Sequence, residues 1–204
     1  ALLRKALLSQ VESPSAAIDA PDLDDAEFLT RIAAMDPAWR HANDAELVGA
    51  VSVLVRCLEE PREGFAVAGS EPLRVETPDG LVLVYGTGDD VHGLDADATL
   101  VIDLGGNDTY ARGASANALE GRYAQVVIDL SGDDRVVGNA DFSAGGALGG
   151  TAIHWDCRGN DVYQAGHVSL GAGILGLGVL VDQSGDDVLR ARDFCQGAGA
   201  FGIG

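Results

Sequence analysis

The residues of this chain best suited to chemistry are aspartates, and they recur. Four segments share one rule, Asp-x-x-Gly-(Asn/Asp)-Asp-x-apolar: Asp103 to Tyr110, Asp129 to Val136, Asp156 to Tyr163 and Asp182 to Leu189. Their first aspartates are 26, 27 and 26 residues apart. A degenerate copy runs from Tyr85 to His92 and carries Gly88-Asp89-Asp90. A carboxylate in a tight turn can accept hydrogen bonds from nearby backbone N–H groups, as in Asx turns. It can also give its oxygens to a hard cation such as Ca2+. If the repeats stack, like carboxylates come within roughly 5 Å of each other. They then repel and raise one another's pKa. Only six arginines accompany 17 acidic residues from position 81 onward, too few to neutralise them. A cation is therefore favoured over a bare Asx ladder, which stays as the alternative. The candidate ligands are Asp90, Asp108, Asp134, Asp161 and Asp187, with Asn107, Asp133, Asn160 and Asp186 beside them. Asp103, Asp129, Asp156 and Asp182 read as corner caps.

Other chemistry is sparse. His154-Trp155-Asp156-Cys157 is one dense stretch. On a strand His154 and Asp156 share a face, as a general base and its orienter would. His167 follows in the next corner, and Asp129 and Asp182 flank Asp156 in sister repeats. Yet the slot of His154 holds Val101, Val127 and Leu180 elsewhere. Cys57, Cys157 and Cys195 show neither zinc spacing nor a disulfide framework, although one bridge stays open. Glycine-rich runs at 145–150 and 171–178 keep register with the repeat and read as tightly packed corners, not as nucleotide loops.

What must position these aspartates is a stack of short strands. A fixed period of 20–50 residues indicates repeats that bury their apolar faces on one another. Each unit has a β-branched run before its first Asp, such as Thr99–Ile102 or Gln125–Ile128, and a second short run after the turn. About 26 residues hold two or three short strands and tight corners, so a parallel β-solenoid is expected. Strand alternation sorts the faces. The inward columns are expected to be Leu100/Val126/Ile153/Val179 and Ile102/Ile128/Trp155/Val181, with Tyr110/Val136/Tyr163/Leu189 on the second strand. The opposite face, Val101/Val127/His154/Leu180, is too apolar to lie bare and needs the N-terminal helices or a partner.

The Gly-x-Asp-x-apolar units at Gly88, Gly106, Gly132, Gly159 and Gly185 resemble half of the nonapeptide of repeats-in-toxin β-rolls. Gly86-Thr87-Gly88-Asp89-Asp90 is similar to the Ca2+-binding turns of bacterial adhesin-type solenoids. The resemblance covers residues 84–204 and has a longer period than those families. It implies Ca2+ held between successive turns.

The first 80 residues differ. They hold all six prolines, four of 28 glycines and eight of nine glutamates. Helices are expected over 1–12, 24–35 and 44–60, the last capped by Asn43 or Asp44 and stopped by Pro61. Pro78-Asp79-Gly80 between two strand-like runs, 73–77 and 81–85, predicts a hairpin. The division is thus 1–80, a helical N-terminal cap with a hairpin, and 81–204, the solenoid. Residues 197–204 repeat 171–178 at an offset of 26, so the last coil is incomplete. That predicts a processed or shortened chain, or a stack continued in another chain.

A net charge of −19 argues against nucleic acid, which needs clustered Lys and Arg. No apolar run reaches the roughly 18 residues of a membrane span. The expected function is a cation-stabilised, acidic solenoid, with Ca2+ as cofactor, acting as a secreted or cell-surface binding or scaffold module. Its partner would be a protein or glycan surface, or the stack's continuation in another chain. The alternative is a β-helical enzyme on polysaccharide or another hydrolysable substrate, with His154, Asp156 and His167 as catalytic groups.

Overall fold

A computed structural model of the chain describes residues 37–60, 71–93, 98–117, 122–137, 140–200 and 202–204. The helices expected over 1–12 and 24–35 lie outside the described residues. The chain divides into two compact units, residues 1–52 and 53–204, and helix α1 (Pro37–Glu59) runs across that division. α1 starts seven residues earlier than the sequence suggested. Pro37 supplies the first position, where its missing N–H costs nothing, so positions 43 and 44 lie within the helix and not at its start. It ends at Glu59, two residues before Pro61. Among the described residues no helix is long and apolar enough to cross a membrane.

The second unit is a parallel β-solenoid of about four turns. It opens with the expected hairpin: β1 (Leu73–Thr77) pairs antiparallel with β2 (Gly80–Val84). The Thr77 hydroxyl donates to the Gly80 carbonyl at 2.7 Å and closes the turn. β2 is also the first rung of a six-stranded sheet whose next rungs are β4 (Ala98–Asp103), β7 (Ala124–Asp129), β10 (Thr151–Asp156) and β13 (Leu177–Asp182), all parallel. The second side holds β3 (Val91–His92), β5 (Thr109–Tyr110), β8 (Arg135–Val136), β11 (Val162–Gln164) and β14 (Val188–Arg190). The third holds β6 (Ser115–Asn117), β9 (Gly146–Leu148), β12 (Gly173–Ile174) and β15 (Gly199–Ala200). Each coil is therefore three short strands and three corners. The register is like on like: Asp103, Asp129, Asp156 and Asp182 are consecutive Cα partners, as are His92, Tyr110, Val136, Tyr163 and Leu189.

The expected core columns are inverted on the first side. The interior cluster contains Leu81, Leu83, Val101 and Val127, packed with Tyr110, Val136, Tyr163, Ala114, Ala144 and Leu170, and Leu180 joins it. Leu100/Val126/Ile153/Val179 and Ile102/Ile128/Trp155/Val181 stand on the other face. That face is also covered at its middle, since Ile128 and Ile153 are fully buried. Both faces being apolar, alternation separates them without saying which is inside. The aspartate at each strand end decides it: Asp103 and Val101 share a face, and the carboxylate turns inward to close its own corner.

The corner between the second and third sides is made by residues with left-handed backbone. Phe142, Val168 and Phe194 have φ of 54°, 51° and 56°; Ala144, Leu170 and Gln196 have 45°, 55° and 55°. Such values strain a bulky or β-branched residue. Bonds between coils hold them, among them Leu170 N–H to Ser143 O at 3.0 Å and Gln196 N–H to Ser169 O at 3.2 Å.

Candidate metal centre

The repeated corner follows each rung of the first sheet. Its opening aspartate points inward, and its Oδ1 accepts the N–H two residues on: Gly105 for Asp103 at 2.9 Å, Ser131 for Asp129 at 3.0 Å and Arg158 for Asp156 at 3.1 Å. These are the corner caps expected from the sequence. The glycine of the motif follows, pressed so near the coil below that a Cβ on Gly132 would overlap the Gly106 carbonyl.

The Asn/Asp-Asp pair then forms two ladders running in opposite directions. On the outside Asp89, Asn107, Asp133 and Asn160 each accept the N–H of the next coil's equivalent, from Asn107, Asp133, Asn160 and Asp186, at 2.8, 2.9, 2.9 and 3.1 Å. On the inside the sense reverses. Asp108, Asp134, Asp161 and Asp187 accept through Oδ1 the N–H of the preceding coil's Asp90, Asp108, Asp134 and Asp161, at 2.6, 2.6, 2.7 and 2.9 Å. The inner aspartates use one oxygen this way. As carboxylates, Asp108, Asp134 and Asp161 have buried Oδ2 atoms that no donor reaches; a protonated Asp134 donates to Asp129 instead.

Four clusters result. Asp129 stands with Asp108 and Asp134, Asp156 with Asp134 and Asp161, and Asp182 with Asp161 and Asp187; within each, one oxygen per residue lies within 4.8 Å of the others. The fourth contains His92, Asp103 and Asp108. Of the ligands named from the sequence, Asp108, Asp134, Asp161 and Asp187 are brought together. Asp90 lies outside the clusters, with His92 in its place. Asn107, Asp133, Asn160 and Asp186 stay on the outer ladder. The sequence reading left out Asp103, Asp129, Asp156 and Asp182 as ligands; the first three cap their corners with one oxygen, and all four complete the clusters. Their strict register five residues before the inner aspartates was the available signal.

The clusters are electrostatically costly as bare anions. Burial, with the Asp129 charge beside it, pushes Asp134 up to about 9. Burial, with Asp129 and Asp161, pushes Asp156 up to about 9. Asp108 rises to about 7 and Asp161 to about 6, chiefly through burial and against the pull of their ladder N–H groups. Asp129 and Asp182 are raised for the same first reason. Two phenols reach into this interior: Tyr110 donates to Asp129 Oδ2 at 2.6 Å and Tyr163 to Asp156 Oδ2 at 3.4 Å. A divalent cation would answer both the orphaned oxygens and the crowded charge, and all-oxygen sets suit hard ions.

The residues of the enzymatic alternative lie differently. His154 and Asp156 do share a face, but it is the interior one, and each is 1% exposed. The His154 ring lies edge-on to Tyr110 and Tyr163, its Nδ1 accepts the Ala114 N–H at 3.3 Å, and burial lowers its pKa to about 4. His167 lies on another side of the coil. Its N–H donates to Asp141 at 2.7 Å, and its ring stands 3.7 Å from the Asp193 carboxylate. All three cysteines are free thiols, and burial, with Glu59 nearby, pushes Cys157 up to about 12.

These features define a class: a parallel β-solenoid with an aspartate cluster at one corner of each coil. Comparison with protein-family models, with curated proteins and with solved structures finds no match to this chain.

Proposed function

We propose that the chain is a Ca2+-stabilised β-solenoid acting as a secreted or cell-surface binding or scaffold module. One observation carries the reading: the buried, unpartnered Oδ2 atoms of Asp108, Asp134 and Asp161, each beside further carboxylates. A cation between coils ties one turn to the next, so its binding free energy becomes folding free energy. A secreted or surface location suits sites of modest affinity, because extracellular modules bind Ca2+ with Kd values of about 10⁻⁴–10⁻³ M. The partner is a protein or glycan surface. The test is thermal unfolding of the full chain in EDTA and in millimolar Ca2+, with the bound ions counted by calorimetry. A Tm raised by Ca2+ with saturable binding is expected. An unchanged Tm removes the cation from the function.

A further inference from the structure

We infer that the first corner, built by His92, Asp103 and Asp108, is a site for a borderline divalent ion of the Zn2+ or Co2+ kind, differing in its ligand chemistry from the all-carboxylate corners above it, the nearest of which shares Asp108. This rests on the reading that the corners hold cations and extends it to a second class of ion. In the later clusters three carboxylates converge, and two are the inner-ladder aspartates of successive coils. The residue that would complete the pattern at the first corner is Asp90, which is only half-buried and stands outside the group. His92 takes the position instead, its Nε2 hydrogen-bonded to Asp103 Oδ2 at 2.8 Å, a contact that a bound ion would replace.

All three residues are at least 98% buried, and Asp108 Oδ2 has no partner. The imidazole is held in place: Tyr110 stacks on it at 4.2 Å with 4° between the planes, and Tyr85 meets it edge-on at 4.2 Å. Its column-mates are Tyr110, Val136, Tyr163 and Leu189. An aromatic ring alone would fill this slot as tyrosine does; histidine adds a nitrogen aimed at a carboxylate.

Ligand chemistry separates the two classes. Imidazole favours Zn2+ and its neighbours, whereas carboxylate-only sets favour Ca2+ and Mg2+. Charge agrees. Two carboxylates and a neutral imidazole balance a divalent ion, while three carboxylates leave a residual negative charge.

The experiment titrates the metal-free full chain with Co2+ under excess Ca2+, followed by visible absorption and by NMR of the four histidine rings. One equivalent is expected, with bands of nitrogen–oxygen-ligated Co2+, displacement by Zn2+ and perturbation of the His92 ring. His92→Gln should lose the bands yet keep the Ca2+-induced rise in Tm. Co2+ that does not bind, perturbs another histidine and not His92, or keeps its bands in His92→Gln overturns the inference. The wild-type NMR decides it even if the variant fails to fold. If Ca2+ leaves Tm unchanged while Co2+ engages His92, the calcium function falls and this site stands. If Ca2+ stabilises and Co2+ ignores His92, the reverse holds.

Discussion

The backbone N–H of Asp108 donates to Oδ1 of Asp134, one coil further along, at 2.6 Å. The side chain of one coil thereby closes the backbone of another. Both carboxylates then keep a second oxygen directed at the same crowded interior.

Replacing Asp134 separates these two roles. Asp134→Ala leaves the buried Asp108 N–H without an acceptor, at a cost of about 1–3 kcal/mol. Asp134→Asn keeps an acceptor and, at neutral pH, removes the cost of protonating a buried carboxyl that the unfolded chain leaves ionised. In EDTA at neutral pH the Asn variant should melt at or above the wild type and the Ala variant below it. Both should show a weaker Ca2+ response. An Asn variant with an undiminished Ca2+ shift would remove Asp134 from the ligand set.

Acid should stabilise the metal-free protein. Folded Asp134 and Asp156 hold their protons up to about pH 9, Asp108 to about 7 and Asp161 to about 6, whereas the unfolded chain releases them near 3.8. Their contribution is complete below pH 3.8 and is lost as the pH climbs through the folded values. His154 opposes this. Its folded value of about 4 lies below its ordinary 6.5, so its contribution is present above 6.5 and lost as the pH falls toward 4. The aspartates outnumber it. EDTA-treated protein should therefore melt higher near pH 5 than near pH 8.5, and Ca2+ should add stability mainly at the higher pH. A metal-free Tm that climbs throughout that range would contradict the buried-carboxylate electrostatics.

Gly132→Ala tests the spacing of the coils. The added Cβ would overlap the Gly106 carbonyl of the coil below, and Gly132 is not in the left-handed region, so the cost is a backbone clash. A loss of about 3 kcal/mol, the upper end for overpacking, is expected in chemical denaturation. At Gly88 the same position is open, and Gly88→Ala should stay within about 1 kcal/mol of wild type. Equal losses at the two sites would show that stacking is not what excludes the side chain.

The two interior phenols should differ. Tyr110→Phe removes a 2.6 Å bond to Asp129, and Tyr163→Phe a 3.4 Å bond to Asp156. The first should cost about 1.5–3 kcal/mol, the range for a hydrogen bond to a charged group, and the second less. Urea unfolding of the two variants measures the difference. A larger loss for Tyr163→Phe would reverse the ranking of these bonds.

The sequence alone determined the solenoid, its register and the hairpin. Equal spacing of Asp103, Asp129, Asp156 and Asp182 stacks like on like, and Pro78-Asp79-Gly80 sits between two strand runs. It also separated the faces of each strand, because side chains alternate. Only the tertiary structure decided which face is inside: Val101 and Leu100 are equally apolar, and the inward turn of Asp103 breaks the tie. The same turn converts the corner caps into members of the clusters and brings His92 to Asp103, across a corner whose three-dimensional closure no linear spacing describes. The left-handed corner at Phe142, Val168 and Phe194 was hidden for a related reason. Bulky residues there are unfavourable locally and are held by hydrogen bonds from neighbouring coils, which exist only once the stack has formed.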